Sequence, residues 1–463
     1  TCAIADTHRD DVRAQIAPIV ENGLVPGLVV GILEDGETNV MGFGSINHTS
    51  DTAPDGETIY EIGSVTKAFT GILLADASLR AAVDLDDELG EHLPDDIDPP
   101  AWKQGDRSVQ PTLTQIATHT SGLPRLPANL GAISTDNPFA GYDRGKLWSF
   151  LNGFSIPVKP GSAYTYSNLG MGLLGTILAD KADMTYEELV RARIAQPLGM
   201  NDTAITLSDE QQDRLAPGTK GGVIEVQNWD FDALAGAGAI RSTANDLLTL
   251  ADAVLERPDS DPGGAIALSI QRQHTLTEQT DDGPDTESGA GVGLGWHIAS
   301  DGTTRWHNGQ TNGYHAYLGV DTINNNAVVV LANGPTPTVD IAGEHILRIL
   351  AGESPDPPDV RESTDVADQK LEPLEGTYIS TVGFVVTITH RENIDGEGHG
   401  ALIAQLTNQP ALRIWAESPT EFFYREVPAT IEFTVDEQRS TATQLTLRQG
   451  GREFVCKRAM ERE

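Results

Sequence analysis

Three short patterns in the chain carry residues able to do chemistry together. The first is Gly63-Ser64-Val65-Thr66-Lys67. In a helix, S-x-x-K sets the lysine amine one turn from the serine hydroxyl, on the same face. A serine hydroxyl is a poor nucleophile until a base takes its proton, and a neighbouring amine meets that need. A serine at a helix start also offers a free backbone N–H to a developing oxyanion. The second pattern is Tyr164-Thr165-Tyr166-Ser167-Asn168. It presents the Tyr166 phenol and the Asn168 amide to one point. A phenolate beside a lysine ammonium is a competent general base, because the cation lowers the phenol's pKa. The third is Trp306-His307-Asn308-Gly309-Gln310, in a β-rich run. Gly309 lets a strand approach a ligand closely, Gln310 offers a second oxyanion N–H, and His307 offers proton transfer or contact with a substrate carboxylate.

Each pattern alone has a plainer reading. Ser64 fits a helix cap with Lys67 in solvent, Tyr166 a packing residue, Asn168 a cap, and His307 a half-exposed polar side chain. Their joint order carries more weight: Tyr166 follows Ser64 by 102 positions and His307 follows Tyr166 by 141. Other chemistries lack their signatures. No G-x-S-x-G surrounds Ser64, no G-x-G-x-x-G or P-loop is completed, and the 11 histidines include no H-E-x-x-H. No metal and no cofactor is expected. His119 falls in a turn and is expected to be structural.

The elements that must position these residues are legible. Residues 10–22 read as an amphipathic helix, and residues 28–33 and 38–43 as a hairpin around Glu34-Asp35-Gly36. Ser64 opens a helical stretch, and another begins near Asn168. Residues 305–320 and 327–331 are β-rich, and a helix over 339–350 follows. Residues 353–370, with three Pro and six acidic side chains, read as a linker. Beyond it seven short β-runs separated by polar turns predict a small barrel or sandwich. The expected organisation is a domain over 1–352, the linker, and a β-domain over 371–463.

Composition narrows the partners. The 463 residues carry 68 acidic and 31 basic side chains, a net charge of −37. Residues 1–352 hold 48 of the acidic and 20 of the basic ones. Such a surface excludes nucleic acid and anionic membranes as partners, and suggests adaptation to high salt. No run of 18 apolar residues predicts a membrane span. No charged-then-apolar leader stands at the start, so a signal peptide has been removed or none existed. Cys2 and Cys456, near opposite ends, fit two thiols or one disulfide.

The motifs together resemble the serine β-lactamase and penicillin-binding superfamily, on the branch of class C β-lactamases with their DD-carboxypeptidase, D-aminopeptidase and esterase relatives. Residues 61–70, His119-Thr120-Ser121-Gly122-Leu123-Pro124, Gln196-Pro197-Leu198-Gly199-Met200 and residues 236–247 support the likeness, which covers about residues 10–352. Y-x-N and the lack of S-D-N set it on the class C side. The resemblance implies an α/β fold, an antiparallel sheet flanked by helices with a helical lobe, the site lying between them. Carried over, Ser64 is acylated, Lys67 and Tyr166 share the base role, Asn168 holds substrate, and the N–H groups of Ser64 and Gln310 form the oxyanion hole beside Gly309. The chain departs from class C at two places. His307-Asn308-Gly309 stands where K-T-G is usual, and Leu126 where a substrate-amide Gln is usual. H-x-G looks more like the DD-carboxypeptidase and D-aminopeptidase side. Residues 371–463 resemble the lipocalin-like barrel found behind some of these hydrolases, through Gly376-Thr377-Tyr378, residues 406–410 and residues 417–423. The implied function is hydrolysis of a small molecule through an acyl-enzyme, the substrate a β-lactam, a D-amino-acid peptide or an ester, in a periplasmic or secreted protein. A penicillin-binding sensor without turnover is the non-enzymatic alternative. Oligomeric state is left open.

Overall fold

A computed structural model describes residues 8–47, 52–131, 137–256, 261–276, 289–394, 398–407, 409–425, 427–436 and 441–459. Its main sheet is fully antiparallel. The strands are β1 (Gly27–Glu34), β2 (Glu37–Gly44), β3 (His274–Thr275), β4 (Gly291–Val292), β5 (His297–Ile298), β6 (Thr304–Gln310), β7 (His315–Asp321) and β8 (Asn326–Ala332). Their order across the sheet is β2-β1-β8-β7-β6-β5-β4-β3. The β1–β2 turn is made by Asp35 (φ 51°) and Gly36 (φ 77°), the left-handed pair that a two-residue hairpin demands.

Both faces of the sheet are covered, which is why β1 and β8 read as unbroken apolar runs. Side chains alternate along a strand. Val29, Leu33, Val329 and Leu331 enter the larger core. Leu28, Val30, Ile32, Val328 and Val330 enter a second one against helices α1 (Arg9–Glu21) and α5 (Thr338–Leu350). Each such buried side chain contributes about 1.5–3 kcal/mol. On the other face lie α2 (Thr66–Leu79), α3 (Asn168–Ala182) and α4 (Ala244–Glu256). Helix α2 is buried from Thr66 through Asp76, so it runs through the core rather than over it. It passes so close to the β4–β5 connection that a Cβ on Gly71 would sit 1.8 Å from the Leu294 carbonyl oxygen.

The C-terminal strands close a barrel: β9 (Gly376–Ser380), β10 (Val385–Arg391), β11 (Ala401–Leu406), β12 (Ala411–Ala416), β13 (Glu421–Phe423), β14 (Ala429–Asp436), β15 (Thr441–Gln449) and β16 (Arg452–Arg458). They follow one another up and down, and β9 pairs with β16 to complete the ring. Closure leaves no free sheet edge. The barrel has its own core, including Tyr378, Leu402, Ile414, Ile431, Leu445 and Cys456. Seven β-runs were expected and eight strands are present; the extra one is β9, whose five residues alternate in burial and are too short to stand out. The expected fold class holds: a β-lactamase-like sheet flanked by helices, followed by a lipocalin-like barrel. Among the described residues no helix is long and apolar enough to cross a membrane. Among the described residues Cys456 is buried and forms no disulfide; Cys2, its possible partner in the sequence reading, lies outside them.

Candidate active site

Ser64 sits not in α2 but in the 3-10 turn Gly63–Val65 that feeds it. Two contacts fix that turn. The Ile62 N–H donates to the Ile240 carbonyl (3.1 Å), and the Ile240 N–H donates to Thr66 Oγ1 (3.1 Å). Just upstream, Glu61 and Arg241 form a nearly buried ion pair at 3.1 Å. Burial pushes the Glu61 carboxyl up, and Arg241 opposes it. Removing either partner would strand a buried charge beneath the nucleophile.

Lys67 is fully buried one turn on, with its Nζ 2.9 Å from Ser64 Oγ and 2.6 Å from the Ala237 carbonyl oxygen. That carbonyl belongs to the turn Ala235–Ala237, pressed against α3 at Gly236, where a Cβ would lie 2.7 Å from the Met171 carbonyl oxygen. Desolvation, reinforced by the Arg125 charge, holds Lys67 well below the usual ammonium range. The amine is therefore poised to accept the serine proton.

Tyr166 lies beside Ser64 and Lys67, its ring centroid 4.8 Å from Lys67 Nζ. Burial pushes its phenol up, with the Ser64 contact and Arg125 opposing. This runs against the phenolate suggested by the sequence, because burial favours the neutral phenol. The Y-x-N loop is tied down by the loop beginning at His119. The His119 carbonyl accepts from the Thr165 N–H (2.7 Å), and His119 Nδ1 accepts from the Ser167 N–H (3.1 Å). The Asn168 N–H donates to the Arg125 carbonyl (3.0 Å). The His119 ring packs on Tyr166 at 4.5 Å, so this histidine positions the loop, as expected of a structural one. Asn168 starts α3 and lines the cavity, while Lys67 takes the Ala237 carbonyl as its second partner.

The two segments carrying the expected oxyanion donors, Ser64 and Gln310, are in close contact. A Cβ on Gly309 would lie 1.9 Å from the Ile62 carbonyl oxygen and 2.8 Å from the Ser64 nitrogen. One on Gly63, already at φ +49°, would lie 2.8 Å from the Gln310 nitrogen. Past Trp306, β5 no longer pairs with β6, so this edge of β6 is open to Ser64. The Thr311 N–H donates to the Tyr314 carbonyl; antiparallel alternation then turns the Gln310 N–H away from β7 and towards that edge. Ser64, Asn168, Gly309 and Gln310 all line a cavity of about 710 Å³.

His307 is buried and is not among the cavity's lining residues. Its Nδ1 is 2.5 Å from the Asn308 carbonyl oxygen, which makes Nδ1 the donor and leaves Nε2 unprotonated. Burial, with His297 and Lys67 nearby, holds its pKa well below 6.5. A neutral histidine behind the wall cannot read a substrate carboxylate, so that role falls away and proton movement remains. The middle residue of H-x-G is anchored separately: Asn308 Nδ2 and His315 Nε2 bond the two oxygens of Asp340 on α5, at 2.7 and 2.8 Å. Among the described residues no group of three or more His, Cys, Asp or Glu could hold a metal.

A β-lactamase family model matches residues 12–353. The chain belongs to the beta-lactamase family. Among named relatives, a beta-lactamase of Yersinia enterocolitica is 26% identical over 55% of this chain and 61% of its own length. The D-alanyl-D-alanine-carboxypeptidase/endopeptidase AmpH of Escherichia coli K12 is 28% identical over 48% and 55%. The chain thus spans somewhat over half the length of these relatives. Among solved structures, a class C beta lactamase from Rhodobacter sphaeroides superposes with a TM-score of 0.61 at 24% identity, over 74% of this chain and 99% of that one. An octameric penicillin-binding protein homologue from Pyrococcus abyssi does so at 0.64 and 22% identity, over 97% of this chain and all of its own. That match spans the barrel as well as the family domain.

Within this β-lactamase-family site, two neighbours of Tyr166 were not singled out from the sequence. His297 on β5 is buried, stacks on Trp306 (4.7 Å), and packs against His307 (4.7 Å) and Tyr166 (6.4 Å). Desolvation and then the Lys67 charge depress it to about 3. Arg125 lines the cavity, its guanidinium 5.3 Å from the Tyr166 ring centroid. Arg125 directly follows the Gly-Leu-Pro turn, a place a reader could have checked. His297 has no such marker, since only the β5–β6 register, His297 opposite Trp306, brings it in.

Proposed function

We propose that the chain is an active-site serine hydrolase that works through an acyl-enzyme on Ser64, with β-lactam amides as its best-supported substrates. The observation that carries this is the desolvated Lys67 amine, 2.9 Å from Ser64 Oγ. Lys67 takes the hydroxyl proton as Oγ attacks the substrate carbonyl. The N–H groups of Ser64 and Gln310 hold the oxygen that becomes negative. Tyr166, its ring 4.8 Å from the Lys67 amine, passes the proton on to the leaving nitrogen. His307, packed 6.2 Å from Tyr166, assists that proton movement, and His297, held neutral by burial, adds no competing charge beside it. Asn168 orients the substrate amide, and Arg125 is the cation placed to meet a substrate carboxylate. Water then releases the acyl group.

A second reading shares this machinery: a D-amino-acid-specific peptidase or DD-carboxypeptidase, or an ester hydrolase. It draws on His307 in place of a lysine and on Leu126, an apolar wall in the cavity where an amide side chain is usual. Both features favour weak turnover of β-lactams. Substrates of these kinds are met outside the cytoplasm, which fits a periplasmic or secreted protein. Stopped-flow with a chromogenic cephalosporin, a D-alanyl p-nitroanilide and a p-nitrophenyl ester separates the readings. A burst followed by turnover on the cephalosporin supports the first. A higher kcat/KM on the anilide or the ester moves the assignment to the second. A stoichiometric burst without turnover on any of the three marks a sensor.

A further inference from the structure

The barrel reaches the catalytic cavity. Pro410, in the turn between β11 and β12, lines the same cavity as Ser64, Tyr166 and Gln310. The turn is held by the Gln409 N–H donating to the Leu406 carbonyl at 3.0 Å. Lys220, from the small ribbon Thr219–Lys220 and Ile224–Glu225, also lines this cavity.

That ribbon is clamped between the two domains. Val223 and Ile224 pack on barrel residues Ala401, Ile403 and Ala411. Arg413 on β12 donates to the Gly221 carbonyl (2.9 Å) while its guanidinium lies 3.7 Å from the Trp415 ring centroid. Arg425 lies 3.7 Å from the same ring and donates to the Asn22 carbonyl (2.8 Å). At its other end, the Thr219 N–H donates to the Gly313 carbonyl (3.2 Å), in the β6–β7 turn that directly follows Gln310. The barrel is thus tied through one ribbon to the strand carrying an oxyanion donor.

We propose that the barrel is a working wall of the substrate cavity, and that Pro410 determines specificity by limiting how far a substrate extends from Ser64. This inference rests on the serine-hydrolase reading above. Pro410 itself is exposed, so replacing it alters the cavity's rim without touching either core. A flat prolyl ring with no N–H offers shape but no donor, which is what a size limit requires.

The test uses the full chain and three esters. These are p-nitrophenyl acetate as the short reference, p-nitrophenyl octanoate extended on the acyl side, and fluorescein diacetate extended on the leaving-group side. Pro410→Trp is expected to lower the kcat/KM of one extended ester at least ten-fold relative to that of the acetate, through KM. Pro410→Ala is expected to move the same ratio the other way. Unchanged ratios for both extended esters in Pro410→Trp, with the melting temperature retained, overturn the inference. Unchanged ratios in Pro410→Ala as well would show that the barrel merely abuts the cavity. If the unsubstituted chain hydrolyses none of the three, and neither the chromogenic cephalosporin nor the D-alanyl p-nitroanilide, the hydrolase reading itself has failed, and the wall falls with it.

Discussion

Gly309→Ala reports directly on the geometry assigned to the oxyanion hole. The new Cβ would lie 1.9 Å from the Ile62 carbonyl oxygen, 2.9 Å from the Ile62 carbonyl carbon and 2.8 Å from the Ser64 nitrogen. All three are backbone atoms, so no side chain can swing aside. Non-bonded carbons rest about 3.5 Å from their neighbours; strand β6 and the Ser64 turn must therefore part by about 1 Å or more. A displacement of that size is worth roughly 10²-fold in rate when it separates aligned groups, and losing one oxyanion donor costs roughly 10² to 10³ in kcat. The expected result is a kcat/KM lowered by at least about 10²-fold on whichever of the three substrate classes proves best. Binding of a non-reactive analogue should change far less, since the donors act mainly on the transition state. Pre-steady-state acylation rates and a melting curve on the same preparation make the measurement. Near-normal acylation by a folded Gly309→Ala protein would refute the claim that the Ser64 and Gln310 N–H groups form the hole.

Other outcomes follow from the same structure. Lys67→Ala and Tyr166→Phe should each slow acylation by roughly 10² to 10⁴, and the double variant should be little worse than the poorer single one; multiplicative losses in stopped-flow would show two independent paths. Because burial and Arg125 depress Lys67, acylation should reach its plateau well below the pH at which an ordinary ammonium titrates and fall as acid protonates the lysine. A rate still climbing steeply up to about pH 10 would indicate an unshifted ammonium. The 48 acidic against 20 basic side chains in residues 1–352 repel over about 30 Å at 0.01 M salt and about 3 Å at 1 M. The melting temperature should therefore rise with NaCl over that range, and a flat or falling series would mean that local pairing already neutralises the surface.

The sequence announced the Ser64, Lys67 and Tyr166 cluster because its members are bound to local geometry. One helical turn separates Ser64 from Lys67, and the loop carrying Tyr166 ends in the cap of α3. Gly309 was legible for a similar reason: only a residue without a Cβ fits where β6 meets the Ile62 carbonyl. What depended on register or desolvation was not legible. His297 reaches Tyr166 through a two-residue strand that no periodicity marks. The Tyr166 phenolate suggested by its lysine neighbour gives way because burial acts on both groups, favouring the neutral form of each. His307 is in the expected strand, but its buried side favours proton movement over carboxylate contact. The barrel was legible from its short β-runs, whereas Pro410 at the cavity is a matter of docking that strand patterns do not encode.

The most direct test of the central claim is covalent. The full chain is treated briefly with benzylpenicillin and, independently of substrate class, with a fluorophosphonate, and then analysed by intact mass and peptide mapping. The account predicts one adduct per chain with either reagent, on the peptide carrying Ser64, and none on a folded Ser64→Ala protein. An adduct on another residue, or equal labelling of Ser64→Ala, would contradict it.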